Sequence, residues 1–445
     1  MAYRSKDGKR PDEYASKSAH RHIINDASVT EFLSRCNLPK TADEVDISTH
    51  STFNFEPQDN NPIKYIIAID GGYTPIAVKE DYPSSMLTFF QFGALIFSLA
   101  DLNGIAEKPF IDPDDISKLK NIQRLKLTLP TKNVLLDGEN SLIDSVRRTV
   151  YDFFLKQPDD GPLIETLKWF VFREYLGGDA QYNLSNCPVC AITNVPLVRK
   201  NISREYTFRC NSCKGDIYLT DVFRLHEAVD DELGAGGILG YVTTSFEQML
   251  LAHLIRVILN TKPALLSEIL FIKDGPLAFF GQTANMHKPM RSLVRYLYDN
   301  HNLFLAGLEK SGSFVDHAAE ISKKLADGTV LIIDNDYIYK YILPGKADPA
   351  NPYGRTTYYG NKIIYKAGDA RVYVITLPTK DILTNPTRSD FPNFDVILTN
   401  IEQLKCDMYE SSLVPVALVN KLVSLSNHPS STILKKFAKG SIGRN

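Results

Sequence analysis

The chain has no excess of charge of either sign. Lysine and arginine number 50 and aspartate and glutamate 52 among 445 residues, for a net charge of −2. The balance gives no sign of a nucleic-acid partner, although basic side chains gathered on one face of a near-neutral protein would still bind one. No internal repeat or low-complexity tract is visible.

Long apolar runs are also absent. No stretch reaches the ~20 apolar residues that a membrane helix needs, and the polar start, residues 1–7, lacks the apolar segment of a secretory signal. The longest candidate, Met86 to Leu99, contains Gln91 and is predicted as a strand leading into a short buried helix. We therefore expect a cytoplasmic protein with no membrane association, whose six cysteines are not paired in disulfides.

The rest of the composition is that of a soluble globular protein, with 44% hydrophobic and 23% charged residues. The length allows one large domain with additions. Residues 1–60 are polar and are predicted to form an N-terminal arm, in which Ala27 to Cys36 is amphipathic enough to dock as a helix. Residues 61–445 form the main domain, which closes with a helix from Leu413 to Leu425 and a basic tail.

Two apolar segments end abruptly in an acid. The first runs from Tyr65 to Asp70 and is followed by two glycines; the second runs from Leu270 to Asp274 and is followed by Gly-Pro. Gly-Pro cannot continue a strand. Because Asp-Gly is common in plain turns, each acid alone is compatible with a turn. Together they predict one shared site, with both carboxylates at the ends of buried strands.

Two further side chains are candidates for the same site. Glu247 lies early in a predicted helix from Thr244 to Leu259, where it either complements the helix dipole or points towards Asp274. A strand from Leu303 places Lys310 at its end. Carboxylates from two strands and a helix suit Mg²⁺ or Mn²⁺. Two such ions, about 3.5–4 Å apart, can activate water and stabilise the leaving oxygen of a phosphodiester, and a lysine can balance transition-state charge.

Four of the cysteines form two Cys-x-x-Cys motifs. Cys187 and Cys190 are separated from Cys210 and Cys213 by 19 residues. This spacing is typical of a zinc ribbon, predicted here as an insertion at residues 183–218 that holds a structural Zn²⁺ with no open position for substrate. A pair of redox dithiols is the alternative, disfavoured because no thioredoxin-like unit surrounds the motifs. Cys36 and Cys406, outside the motifs, are expected to be buried thiols.

The order of these motifs resembles that of the NurA nucleases. The matching segments are Ile67–Gly72, Phe271–Leu277 and Gly307–Lys310, and a helix bearing an acid precedes the second. The resemblance covers about residues 62–425, with the ribbon as an insertion. It implies an α/β fold with a ribonuclease H-like (Piwi-like) mixed sheet flanked by helices. It also implies a deoxyribonuclease that uses Mn²⁺ or Mg²⁺, forms a homodimer and acts with a hexameric HerA-type ATPase in DNA end processing or anti-phage defence.

The resemblance also assigns roles. Asp70 and Asp274 become metal ligands, Lys310 an accessory cation and Glu247 the helix acid, a position for which Glu165 and Glu268 are alternatives. One departure stands near the C-terminus.

Members of the family often carry Ala-His on a helix after Pro-x-x-Leu, whereas Pro415–Leu418 is followed here by Val419 and Asn420. Asparagine can coordinate or hydrogen-bond but cannot act as a base, and His428 is the nearest histidine in sequence that could replace it.

Functions of other classes remain open from sequence alone. Asp70–Thr74 also matches the Asp-x-Gly-x-Thr phosphate loop of actin-like ATPases, although the second phosphate motif and the adenosine motif are not found. A non-catalytic DNA-binding or assembly subunit is the other alternative, with the ribbon as its recognition module and the acids as turns.

Overall fold

The structure, a computed structural model, describes residues 19–100, 122–158, 161–177, 181–406, 409, 411–426 and 429–442. Over these ranges the chain is a mixed α/β protein with one large mixed sheet, helices on both faces of that sheet, and a small unit that carries the four paired cysteines. The predicted α/β class and mixed sheet flanked by helices are therefore confirmed.

The strands follow in chain order. They are β1 Thr52–Asn54, β2 Tyr65–Lys79, β3 Ser85–Ser98, β4 Ile122–Lys132, β5 Gln181–Asn186, β6 Thr193–Val198, β7 Thr207–Arg209, β8 Asp216–Tyr218, β9 Ile269–Asp274, β10 Phe304–Glu309, β11 Thr329–Ile332, β12 Gly360–Lys366 and β13 Val372–Pro378.

The α-helices of the described ranges are numbered in the same way. They are α1 Ala19–Ile24, α2 Ala27–Ser34, α3 Leu142–Lys156, α4 Leu163–Val171, α5 Leu239–Thr261, α6 His287–Asn300, α7 Ser313–Ile321, α8 Asn335–Tyr337, α9 Phe394–Gln403, α10 Val414–Val423 and α11 Ser430–Ser441.

The large sheet has the strand order β1-β11-β12-β13-β10-β9-β2-β3-β4. Strands β2, β9 and β10 are mutually parallel neighbours, and every other neighbouring pair is antiparallel. Parallel strands need a crossover connection, here α6 between β9 and β10. The carboxyl ends of β9 and β10 consequently lie together, beside the middle of β2.

Helices cover both faces of the central strands. Ile67 and Ile69 of β2 belong to a core shared with α3, α4, α5 and α6. Ile66 and Ala68 point the other way, into a core shared with α9 and α10. Because both faces are buried, the strand appears in the sequence as a continuous apolar run rather than an alternating one.

Strand β2 is longer than the sequence suggested. The apolar run and the two glycines after it predict an end at Asp70, but the strand continues to Lys79. The antiparallel ladder with β3 passes through Gly71 and Gly72 without interruption. The two glycines permit close packing instead of a break, since a Cβ on Gly72 would lie 2.7 Å from the main-chain oxygen of Val423.

Helix α5 is the long central helix of one face. The segment Gly236–Thr261 is long and apolar enough to cross a membrane by length and composition, but 67% of its most apolar window is buried inside the protein. A helix that is apolar on most sides is expected in the core of a large domain. Glu247 is one of its buried residues.

The N-terminal region contributes to the sheet through β1, which pairs with β11 at one edge. Helix α2 forms as predicted and is capped by Asp26, but none of its residues is buried, and Phe32 remains 65% exposed. The predicted docking is therefore not seen among the described residues. Cys36 is exposed rather than buried, whereas Cys406 is buried as predicted.

The region after α10 is not a plain tail. Residues Ser430–Ser441 form α11, which packs against β2. Its lysines Lys435 and Lys439 both pair with Glu80, just beyond β2. The basic residues predicted as a tail therefore hold a helix against the sheet.

Candidate active site and metal centre

Asp70 and Asp274 are neighbours at the point where the parallel pairing of β2 with β9 stops. Ile69 of β2 and Lys273 of β9 are the last residues paired in the parallel ladder, and the two aspartates follow them directly. Neighbouring strands lie about 4.8 Å apart. Asp70 belongs to the same alternating series as Ile66 and Ala68, so its side chain emerges on the face covered by α10.

The carboxylate of Asp70 is buried, with 4% of the residue exposed. Burial raises the pKa of Asp70 well above its usual range, and the charges of Asp274 and Glu247 raise it further. Lys310 and a hydrogen bond from Asn420 act in the opposite direction. An acid whose pKa is raised by two neighbouring carboxylates lies in a local field that attracts a cation.

Glu247 reaches this group from α5. Its Oε1 lies 3.0 Å from the position that a Cβ on Gly71 would take, so the absence of a side chain at Gly71 leaves room for the carboxylate. Glu247 is buried, and burial raises its pKa while the ammonium group of Lys273 opposes the rise. Nζ of Lys273 lies 2.6 Å from Oε2 of Glu247.

Lys310 completes the group from the end of β10. Its Nζ donates a hydrogen bond of 2.7 Å to Oδ2 of Asp274. A sharp turn fixes Asp274 here, because Gly275 has a φ of +84° and donates its N–H to the carbonyl oxygen of Leu308 at 2.7 Å. A left-handed φ of this kind favours glycine.

Of the other residues that the sequence offers for the site, the structure shows Asn420 bonded to Asp70 and the two alternative glutamates paired elsewhere. Asn420 on α10 donates a hydrogen bond of 2.9 Å to Oδ2 of Asp70, whereas His428 lies outside the described residues. Glu268 pairs with Lys64 at 2.7 Å, and Glu165 accepts a hydrogen bond from Tyr206. Neither of those glutamates is among the charges that act on Asp70.

Sequence reasoning missed Lys273. It stands inside the apolar run of β9, where its alternation with Ile269 and Phe271 directs it towards α5. A lysine in a buried strand requires an acidic partner, because an unpaired buried charge is costly. The need for an acidic partner could be inferred from the sequence, but the sequence does not identify that partner as Glu247.

The acid group contains three carboxylates and two ammonium groups. Asp70, Glu247 and Asp274 carry the negative charges, and Lys273 and Lys310 carry positive ones. The group is looser than the cysteine cluster, which is the one set of three or more potential metal ligands within 4.8 Å of one another in the described part of the chain. With all five groups ionised, the set retains one net negative charge.

The four cysteines form a compact cluster. Sγ of Cys187 lies 3.9 Å from Sγ of Cys213, and Sγ of Cys190 lies 3.9 Å from Sγ of Cys210. A tetrahedron with metal–sulfur bonds of about 2.3 Å has edges of about 3.8 Å, whereas a disulfide bond is about 2.05 Å long. The donor set therefore fits a metal ion such as zinc and does not correspond to disulfides.

The two knuckles have the same backbone. In each, the residue after the second cysteine has a left-handed φ, +58° at Ala191 and +61° at Lys214. Its N–H donates to the carbonyl oxygen of the first cysteine, at 2.9 Å in one knuckle and 3.0 Å in the other. The N–H of Val189 and that of Gly215 donate to cysteine sulfurs. These donors favour the thiolate form that a metal requires.

The cysteine unit is built into the domain. It comprises the hairpins β5–β6 and β7–β8, and one cysteine of each knuckle, Cys187 and Cys210, belongs to the main core. Arg147 of α3 donates two hydrogen bonds of 2.9 Å to Asp221, just after β8. The unit is thus attached to the face of the sheet that α3 and α5 cover, from which Glu247 reaches the acid group, whereas Asp70 emerges on the face covered by α10.

Comparisons with known proteins gave limited matches. No family model matches the chain, and no curated protein matches it. Among solved structures, the NurA nuclease from Sulfolobus solfataricus is 9% identical, with 95% of this chain and 94% of that chain covered at a TM-score of 0.33. Another structure of NurA is 11% identical, with 97% and 99% covered at a TM-score of 0.25. Both identities and both TM-scores are low, so the side chains of the site, and not these likenesses, are the basis for proposing a function.

Proposed function

We propose that this chain is a metal-dependent deoxyribonuclease. The observation that carries the proposal is that Asp70 and Asp274 lie on adjacent parallel strands, directly after the last residues that pair β2 with β9. Lys310 is bonded to Asp274, and Glu247 lies beside them. The three acids come from segments separated by up to about 200 residues, yet each affects the pKa of Asp70 or shares its field.

The strand order supports a ribonuclease H-like core. In β4-β3-β2-β9-β10, three antiparallel strands are followed by two strands parallel to β2. In such a core the acids stand on the first strand and on the parallel strand beside it, and here those strands are β2 and β9. Helix α5, which bears Glu247, precedes β9 in the chain as the motif order requires.

The acid group suits a hard divalent cation. Mg²⁺ and Mn²⁺ bind carboxylate oxygens and commonly use only one or two of them, with water and phosphate completing the shell. Asp70 and Asp274 would hold the ion. When bound, a divalent ion lowers the pKa of coordinated water and stabilises charge on phosphate oxygens.

The protein side chains orient this chemistry. Asn420 and the main-chain N–H of Gly71 each donate to one oxygen of Asp70, at 2.9 Å and 2.8 Å, so the carboxylate is held in one orientation. Lys310 orients Asp274, and its ammonium group is available to offset the charge that develops on a cleaved phosphodiester. Fixed donors of this kind need no reorganisation during the reaction.

A basic cleft beside α6 supports DNA as the substrate. The cleft has a volume of about 440 Å³ and is lined by Lys288, Arg291 and Arg295 and by the acids Asp299 and Asp381, so that its cations exceed its carboxylates by one. Arg291 is half-buried and donates to the carbonyl oxygens of Tyr358 and Gly354, which fixes its guanidinium at the cleft. Phosphate groups are held by such cations.

The wider role follows the sequence resemblance. We propose that the protein acts in the cytoplasm as a homodimer with a hexameric HerA-type ATPase, in DNA end processing or anti-phage defence. Zn²⁺ in the four-cysteine cluster would be structural, since four thiolates leave no position for substrate. A reducing compartment keeps these thiols available for metal.

The ATPase alternative finds little support in the backbone. Asp70–Thr74 lies inside the continuous strand β2, and residues Gly71–Thr74 are paired with β3 along their length. A phosphate loop needs main-chain N–H groups that are free to face the phosphate. A non-catalytic DNA-binding subunit would not require the contact of Lys310 with Asp274 or the electrostatic influence of both on Asp70.

The test is cleavage of linear DNA with Mn²⁺ by the purified protein, alone and with a HerA-type partner. Asp70→Asn and Asp274→Asn should each lower the rate at least 100-fold while leaving the fold unchanged by circular dichroism. Asp59→Asn is the matched control, because Asp59 is an exposed loop acid. Equal rates for wild type and Asp70→Asn would exclude the proposed site.

A further inference from the structure

Lys273 is the most deeply buried charge of the acid group. Its side chain is 2% exposed, and its Nζ lies 2.6 Å from Oε2 of Glu247. The same ammonium group donates a hydrogen bond to the main-chain oxygen of Asp274. It therefore contacts the carboxylate of Glu247 and the main chain of Asp274, whose own carboxylate is bonded to Lys310.

This placement is fixed by the fold. Lys273 is in the parallel ladder opposite Ile69, and its side chain follows Ile269 and Phe271 into the core beneath α5. Moving the ammonium group of Lys273 away from Glu247 would either pull this strand residue out of the core or leave the carboxylate of Glu247 unpaired. Both changes are costly, because each leaves a buried charge without its partner.

The ammonium group changes what the acids can bind. One oxygen of Glu247 is paired with Lys273, and one oxygen of Asp274 is paired with Lys310. Among the described residues, the donors to Asp70 are the neutral groups of Asn420 and Gly71. When all five groups are ionised their net charge is −1, and one divalent ion brings the group to +1. A second ion would bring it to +3 and would lie against a buried ammonium group, with strong repulsion in a low-dielectric site.

We propose that Lys273 stands in for a second metal ion, so that the site binds one divalent cation, held by Asp70 and Asp274, and Glu247 positions Lys273 instead of acting as a ligand. The inference rests on the proposed nuclease function and refines it. It replaces the two-ion arrangement expected from the sequence with one ion and one fixed ammonium group.

A second buried lysine provides a matched control. Lys362 of β12 is also 2% exposed, pairs with Glu309, and lies over the rings of Phe314 and Tyr358. It has the same chemistry and burial as Lys273 but does not contact Asp70, Asp274 or Glu247. Removing its charge tests the loss of a buried lysine as such.

The experiment is titration of the metal-free full-length protein with Mn²⁺ in the absence of DNA. Isothermal calorimetry and the electron paramagnetic resonance signal of free Mn²⁺ report the number bound at the acid group, with the cysteine cluster loaded with Zn²⁺ beforehand. Wild type should bind one ion. Lys273→Met should bind two, because Glu247 loses its cation, and Lys362→Met should bind one. Two ions bound by wild type, or one by a folded Lys273→Met, would overturn the inference.

A second variant covers the case in which Lys273→Met does not fold. Glu247→Gln retains the size and hydrogen-bonding capacity of the side chain, and it should bind one Mn²⁺ with an affinity within about threefold of wild type. Asp70→Asn should lose the ion. A loss of more than threefold in Glu247→Gln would make Glu247 a ligand and overturn the inference, although the nuclease proposal would stand. Absence of Mn²⁺ binding by wild type would overturn both.

Discussion

The side-chain amide of Asn420 donates a hydrogen bond of 2.9 Å to Oδ2 of Asp70, across 350 positions of sequence. The other oxygen of Asp70 accepts from the N–H of Gly71 at 2.8 Å. Helix α10 therefore orients the acid of β2 directly. The residue that occupies the position of the histidine expected from the NurA resemblance is a hydrogen-bond donor to the proposed metal ligand, and it cannot act as a base.

Replacing Asn420 should weaken metal binding without unfolding the protein. A hydrogen bond to a charged group contributes about 1.5–3 kcal/mol, so Asn420→Ala should lower Mn²⁺ affinity by about tenfold or more. Asn420 is exposed at its helix position, and the loss of stability should stay below about 1 kcal/mol. Calorimetric titration with Mn²⁺ measures the effect. Lys421→Ala, at the next and also exposed position, is the control, and an equal loss of affinity in both variants would contradict the role given to Asn420.

Zinc should be present at one ion per chain in the purified protein. Cys187→Ser should lose the ion and destabilise the domain by several kcal/mol, because Cys187 lies in the main core and structural zinc contributes directly to folding. Elemental analysis and thermal melting measure both effects. Cys406→Ser replaces a buried thiol outside the cluster and should retain zinc. Stoichiometric zinc in Cys187→Ser would exclude the four-thiolate site.

Mild acid should destabilise the fold through buried histidines. Burial lowers the pKa of His287 and of His317 from the ordinary 6.5 to about 4. Between these values the unfolded chain binds more protons than the folded one, so stability is complete above about pH 6.5 and falls as the pH drops towards 4. Each histidine should cost about 2 kcal/mol between pH 7 and pH 4.5.

Urea unfolding at the two pH values checks this prediction. Nε2 of His317 and the hydroxyl group of Tyr337 form a hydrogen bond of 2.8 Å. The variant His317→Gln cannot titrate but can still hydrogen-bond, and it should lose less stability on acidification than wild type. An unchanged difference between pH 7 and pH 4.5 would show that His317 does not contribute.

DNA binding should weaken steeply with salt. Each phosphate contact made by a cation releases counterions, and loss of one contact reduces the slope of log K against log salt by about one. Lys288→Ala, in the cleft beside α6, should therefore lower both the affinity and the slope. Lys323→Ala, which changes an exposed lysine after α7, should leave the slope unchanged. Fluorescence anisotropy over a salt series measures both, and identical slopes for Lys288→Ala and wild type would place the DNA elsewhere.

Much of the site could be predicted because it depends on local patterns. The apolar run that ends in Asp-Gly marks the end of β9, and the parallel pairing of β2 with β9 brings Asp70 beside Asp274. The cysteine spacing likewise indicates the knuckles without knowledge of the fold. Both predictions use residues whose chemistry is restrictive at short range.

Features that depend on remote partners could not be predicted in the same way. The glycines after Asp70 were interpreted as a break, but they continue β2 because β3 pairs with its whole length and α10 approaches closely. Strand β1 has only three residues, and its strand conformation depends on pairing with β11. The sequence of β9 indicates an apolar strand and does not indicate the role of Lys273. Its partner Glu247 lies on a helix 26 positions earlier, and the sequence does not show their contact.

Anomalous diffraction from crystals soaked in Mn²⁺ locates the metal ion directly. We expect one Mn²⁺ peak within coordination distance, about 2.0–2.4 Å, of oxygens of both Asp70 and Asp274. The same peak should be lost in Asp70→Asn crystals. A protein that cuts DNA with Mn²⁺ while its crystals show no peak between these two aspartates would contradict the account.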